Sequence, residues 1–230
     1  MTVMSDAATN DAATSDAATS DAATSDAATR AEAVTLAGLV ALLGAAPGVA
    51  PVDRVLTGLA TAVGGDRCDV TAAVAAELAR RYLRAARCFH AGAPAPRSWQ
   101  VLFRWWEPAV SSPLRATLVG VAVLAGNDLP PAVVSTCTLL GHAPGPAECD
   151  AVDSISRTLA DIVRDAVLDA GGADPDGAEA AEGLLLLLAR RDPWRLAEHL
   201  WTLRGRPAEA EAERSALDWR TSAVGRALLA

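Results

Sequence analysis

From Arg30 onward, apolar runs open on a capping side chain or a proline and close on a glycine, and no run alternates polar with apolar over a strand's length. That punctuation predicts helices. Ser112-Pro113 and Asp192-Pro193 each set a side-chain acceptor ahead of a proline, whose fixed φ and missing N–H suit the first helical turn. Gly64-Gly65, Gly92, Gly126, Gly171-Gly172 and Gly205 stand where helices should stop. Val119-Gly120-Val121-Ala122-Val123 comes nearest to a strand, but its flanks argue for helix. The pattern predicts helices near residues 31–45, 52–63, 69–89, 97–107, 113–125, 131–141, 148–170, 177–191, 193–204 and 208–228. The expected fold is all-α, a single compact domain of about 8–10 helices over residues 31–230.

Residues 1–30 are set apart as a disordered acidic tail. Ser5 to Thr29 repeats a five-residue unit, SDAAT, with Asn10 the one exception. Five residues turn an α-helix through about 500°, so successive units are rotated by about 140° and build no apolar stripe. The units also lack a large apolar residue to fill a solenoid interior. Ala, Ser, Thr and Asp cannot offset the entropy of ordering.

Half of the chain is apolar but only 4% is aromatic, so the core is built from Ala, Val and Leu, and helices should approach closely. Two aromatic segments stand out. In RSWQVLFRWWEP, Trp99, Phe103 and Trp106 follow i, i+4, i+7 spacing, and in DPWRLAEHLWTL, Trp194 and Trp201 lie two turns apart with Ala197 between them. Core packing is their expected role. A pocket lined by Trp99, Trp106, Trp194 or Trp201 would instead point to a small apolar ligand. Leu184 to Leu188 is apolar on every side of a helix and is expected to lie centrally.

Several chemistries are excluded by what is missing. The net charge is −8, but the repeat contributes five of the 28 acidic residues, leaving 23 against 20 basic ones. No basic excess remains to neutralise a phosphate backbone, so nucleic-acid binding is not expected. All 20 basic residues are arginine, which rules out a Schiff-base lysine and the lysine of a P-loop. Cys68, Cys88, Cys137 and Cys149 are spaced by 20, 49 and 12 residues, without the short paired spacing of zinc sites. No metal and no cofactor are therefore expected. The N-terminus shows no basic segment leading into an apolar one, so a cytoplasmic protein with free thiols is expected. Ala33 to Val52 is uncharged over twenty residues, but Gly38, Gly44, Pro47, Gly48 and Pro51 interrupt it, and no membrane span is expected.

The candidate functional residues are Asn127 and Asp128, set between the apolar runs LVGVAVLAG and LPPAVV. The three histidines show no metal-binding spacing: His199 reads as a surface residue, while His90 and His142 follow helix ends. Asp128 and His142 fall at opposite ends of one expected helix, roughly 20 Å apart at 1.5 Å per residue. Because Asp128 follows Gly126 and precedes Pro130-Pro131, it is expected to cap a helix in the turn of a tight helical hairpin. Pro131 should also force Pro130 out of the α region.

The run WQVLFRWWEPAVSSPLRATLVGVAVLAGNDLPPAVVSTC resembles the signature region of an actinobacterial family catalogued as domain of unknown function 5995. That family's pattern, Leu-x-Gly-Met-Asn-Ala-His-Ile-Asn-x-Asp-Leu-Pro, is met without a gap at Leu118, Gly120, Asp128, Leu129 and Pro130. Where the pattern has Asn, His and Asn, this chain has Ala122, Leu124 and Gly126. RRYLRAARCFHAGAPAPRSW, LLLLLARRDPWRLAEHLWTLRG and LDWRTSAVGRALL are similar to further segments of the family. The resemblance implies a member that has kept the helical frame and lost a polar cluster. A binding or structural protein, acting on a small apolar ligand or a protein partner, is the leading expectation. The alternative is a hydrolase-like enzyme that uses Asp128 with Arg104, Arg190 or Glu107.

Overall fold

The computed structural model describes residues 36–43, 48–63, 70–190 and 192–230. The expected tail over residues 1–30, the Gly64-Gly65 stop and Cys68 lie outside the described residues. Within them the elements are α1 (Leu36–Leu43), α2 (Ala50–Val63), α3 (Val70–His90), α4 (Arg97–Trp105), α5 (Pro113–Val123), a π-helical turn (Leu124–Asp128), α6 (Leu129–Leu140), α7 (Pro146–Ala170), α8 (Pro175–Leu188), α9 (Asp192–Thr202) and α10 (Pro207–Leu229). No strand occurs among the described residues, and the helices fall within a few residues of the positions that the punctuation predicts.

The proline and glycine signals mostly act as expected. Ser112 Oγ accepts the Arg115 N–H at 3.3 Å to cap α5, and Gly141 and Gly171 take left-handed φ values of 77° and 56° to close α6 and α7. Gly126 does not stop a helix. Instead α5, the π turn and α6 form one continuous rod, Pro113–Leu140, in place of the expected hairpin.

Pro130 and Pro131 supply the physical reason. Neither can donate to the carbonyl four residues back, and each ring crowds that carbonyl. Widening the helix by one residue just before them relieves the crowding. The Leu129 N–H accordingly donates to Leu124 O, five residues back. Both prolines then sit inside the first turn of α6, so the expectation that Pro130 leaves the α region is corrected.

The rod is the core of the fold. Every side chain from Ala116 to Val123 is buried; α2, α4, α7, α8 and α10 pack around α5, while α3 and α9 pack on α6. Small residues set these approaches: a Cβ on Gly120 would come within 2.6 Å of Val52 Cγ2. The rod is also the one helix among the described residues long and apolar enough to cross a membrane, and 83% of its most apolar stretch is buried in the protein.

An aromatic cluster joins α3 to α4. Trp99 stacks on Phe103 at 5.7 Å and meets Tyr82 at 5.0 Å, while the Tyr82 hydroxyl accepts the Val49 N–H at 2.8 Å. Trp99 and Phe103 are buried as expected, but α4 ends at Trp105 and leaves Trp106 in extended backbone. The Leu184–Leu188 run is not central. Leu184 and Leu188 are buried while Leu186 and Leu187 are 72% and 45% exposed, so α8 lies at the surface with one face inward.

Candidate functional site

The π turn aims Asp128 inward. Its side chain accepts no capping hydrogen bond, so the expected capping role is corrected. Asp128 is 2% exposed, with Oδ2 accepting the Trp99 indole N–H at 2.9 Å and Oδ1 accepting the Asn127 amide at 2.8 Å. Burial pushes its carboxyl up to about 6, against the lowering influence of the Arg81 charge and these two hydrogen bonds.

Trp99 is itself held from the far end of the chain. The α10 carboxylate of Asp218 accepts the Arg97 N–H at 2.8 Å, the Ser98 N–H at 2.9 Å and the Ser98 hydroxyl at 2.6 Å. These are free N–H groups at the start of α4, so a residue 120 positions away does the work of an N-cap. The chain of contacts runs from Asp218 through α4 and Trp99 to Asp128.

A cleft of about 360 Å³ opens over this carboxylate. Its walls are α3, through Arg81, Arg84, Ala85 and Cys88, and α10, through Glu211, Arg214, Ser215 and Asp218. Both sets follow i, i+3, i+4, i+7 spacing, so each helix turns one face to the cleft. Asn127, Asp128 and Pro131 contribute from the rod, and Pro94 and Pro96 from the loop before α4.

The charges of the cleft are partly committed. Arg81 lies 3.2 Å from Glu77 Oε1 and donates to Ser135 Oγ at 3.3 Å; Arg214 pairs with Glu211 at 2.8 Å. Asp218 is occupied by α4. Arg84 is exposed and has no ion pair among the described residues, so its guanidinium is free to meet an anionic group.

The other nominated residues lie elsewhere. None of Trp99, Trp106, Trp194 and Trp201 lines this cleft; Trp99 is fully buried beneath it, and Trp201 carries the Arg204 guanidinium 4.3 Å from its ring centroid. Arg104 lines a separate groove with Trp105, while Glu107 and Arg190 are exposed on loops. No histidine lines the cleft. Sequence reasoning missed Arg81, Arg84, Arg214 and Asp218, although their helical spacing within RRYLRAARC and ERSALD was visible.

A family model described as a family of unknown function, DUF5995, matches residues 53–230. No curated protein and no solved structure matches the chain.

Proposed function

We propose that this chain, which belongs to the DUF5995 family, is a binding protein whose α3–α10 cleft takes a small polar ligand. The ligand has an anionic group for Arg84 and a hydrogen-bond donor for the Asn127-Asp128 pair. The observation that carries this reading is the juxtaposition of a buried, indole-held carboxylate with an unpaired arginine across one cleft. A polar ligand suits this lining better than the apolar one expected from the tryptophans.

Ala122 and Leu124, read as positions where the family pattern is polar, are buried apolar residues, and a Cβ on Gly126 would stand 3.1 Å from Thr221 Oγ1. Loss of that polar set supports binding over catalysis. One observation favours the hydrolase-like alternative: a carboxyl pushed up to about 6 is tuned for proton transfer near neutral pH. Its partners are lacking, since Arg104, Arg190 and Glu107 lie outside the cleft and Asp218 is bound to α4.

Thermal unfolding of the full chain with a panel of amino acids, small carboxylic acids and phosphate esters tests the reading. A true ligand at about 100 times its Kd stabilises by roughly 2.7 kcal/mol, and Arg84→Ala should abolish the shift without altering the free protein. No shift with any anionic compound, or one unchanged in Arg84→Ala, would overturn it.

A further inference from the structure

The loop between α6 and α7 gathers a second group of side chains at the opposite end of α6 from Asp128. Gly141 reverses the chain, its N–H bonding to Thr138 O at 3.3 Å and the His142 N–H to Cys137 O at 3.1 Å. This returns His142 to the level of Cys137. At the start of α7, the Gly145 N–H donates to Glu148 Oε2 at 2.7 Å, folding the glutamate back over the same loop. Five residues, Gly141 to Gly145, clamped at both ends by local hydrogen bonds, thus separate two helix termini.

The outcome is convergence of three different donors. The Cys137 sulfur, a His142 ring nitrogen and a Glu148 carboxylate oxygen all lie within 4.8 Å of one another. His142 Nδ1 is 3.0 Å from Ala143 O, a contact that puts the ring proton on Nδ1 and leaves the lone pair on Nε2. Nε2 is the nitrogen that faces Glu148 Oε1, at 3.8 Å. Metal-ligating histidines are oriented in this way, with the far nitrogen donating to a carbonyl.

We propose that Cys137, His142 and Glu148 form a zinc-type metal site. A sulfur, nitrogen and oxygen donor set suits a borderline-soft divalent cation. Ligand bonds of about 2.0–2.3 Å in a tetrahedron place donors roughly 3.3–3.8 Å apart, so the His142 and Glu148 donors need to close by no more than about 0.5 Å and the sulfur by no more than about 1.5 Å. Cys137 and Glu148 are buried, while the His142 side chain is 48% exposed, which leaves a solvent side for entry and for a fourth ligand, water. Coordination releases the thiol proton to solvent. An ion pair alone would explain His142 and Glu148, but it assigns nothing to the buried sulfur within 4.8 Å of both.

The spacing is Cys-x4-His-x5-Glu. Searching for paired cysteines or paired histidines does not detect it, which is why the sequence predicts no metal. Cobalt titration of the chelator-treated full chain gives the test, because a thiolate ligand produces a near-ultraviolet charge-transfer band. That band should appear, be displaced by zinc and vanish in Cys137→Ser, but persist in Cys88→Ser and Cys149→Ser. His142→Ala, at an exposed position that leaves the core intact, should weaken binding at least about tenfold and cancel the zinc-dependent rise in unfolding temperature. Absence of the band, its unchanged persistence in His142→Ala, or its loss in Cys88→Ser or Cys149→Ser with retention in Cys137→Ser, would each overturn the proposal.

Discussion

Asp128→Asn should make the protein relatively more stable as pH rises. In the folded chain burial holds the Asp128 carboxyl near 6, whereas in the unfolded chain it titrates near its ordinary 3.8. Between those values the folded state binds more protons than the unfolded one, so wild-type stability falls as pH rises. The full effect above pH 6 is about 3 kcal/mol, at about 1.4 kcal/mol per pKa unit. Between about pH 4.5 and about pH 7.5 roughly 2 kcal/mol of it is developed. Asparagine keeps an oxygen for the Trp99 indole, and the Asn127 amide can turn to accept from the new side-chain amide, so the offset at low pH is small. Urea unfolding of both proteins across this range isolates the effect, because groups common to both cancel, including Asp53, whose carboxyl is likewise raised by burial. The variant should gain about 2 kcal/mol on wild type over the interval. A difference that stays flat to within about 0.5 kcal/mol would show that the carboxylate is solvated or charge-compensated, and the account of the site would fail.

Two further outcomes follow from the packing and from the loop before α8. Gly120→Ala drives a methyl to 2.6 Å from Val52 Cγ2, on a β-branched side chain that cannot swing away, and should cost about 1–3 kcal/mol, read as a lower urea midpoint with unchanged slope. Asp174 caps α8 through the Gly177 N–H at 2.9 Å and ties it to α5 through Ser112 and Arg115 at 2.9 and 3.0 Å. These contacts, led by Arg115, lower its pKa, so its contribution is present above its unfolded value and is lost as pH falls through the folded one. Asp174→Ala should therefore cost about 1–2 kcal/mol at neutral pH and little in acid, by the same unfolding assay.

The helices were legible because their ends are written in local chemistry. Ser112-Pro113, Gly141 and Gly171 act within one turn of themselves. Gly126 misled because a stop signal and a bulge signal share the same residue, and Pro130-Pro131 decide between them only through the geometry of carbonyls behind them. Leu186 and Leu187 misled because an apolar residue on a surface helix costs little. In the site, the sequence marks Asp128 as a lone carboxylate between apolar runs but not the partners that it meets. Its indole donor lies 29 residues away and the Asp218 cap 120 residues from Ser98, separations that no periodicity reports.

The π turn also has a genetic meaning. It amounts to one residue inserted into an otherwise regular rod, and the widened turn takes up most of the rotation of about 100° that the extra residue would otherwise impose. The inner faces of α5 and α6 can therefore both point at their neighbours. A codon lost elsewhere in the rod, where no widened turn absorbs the change, would act like a misaligned crankshaft, which makes the length of the regular segments as constrained as their composition.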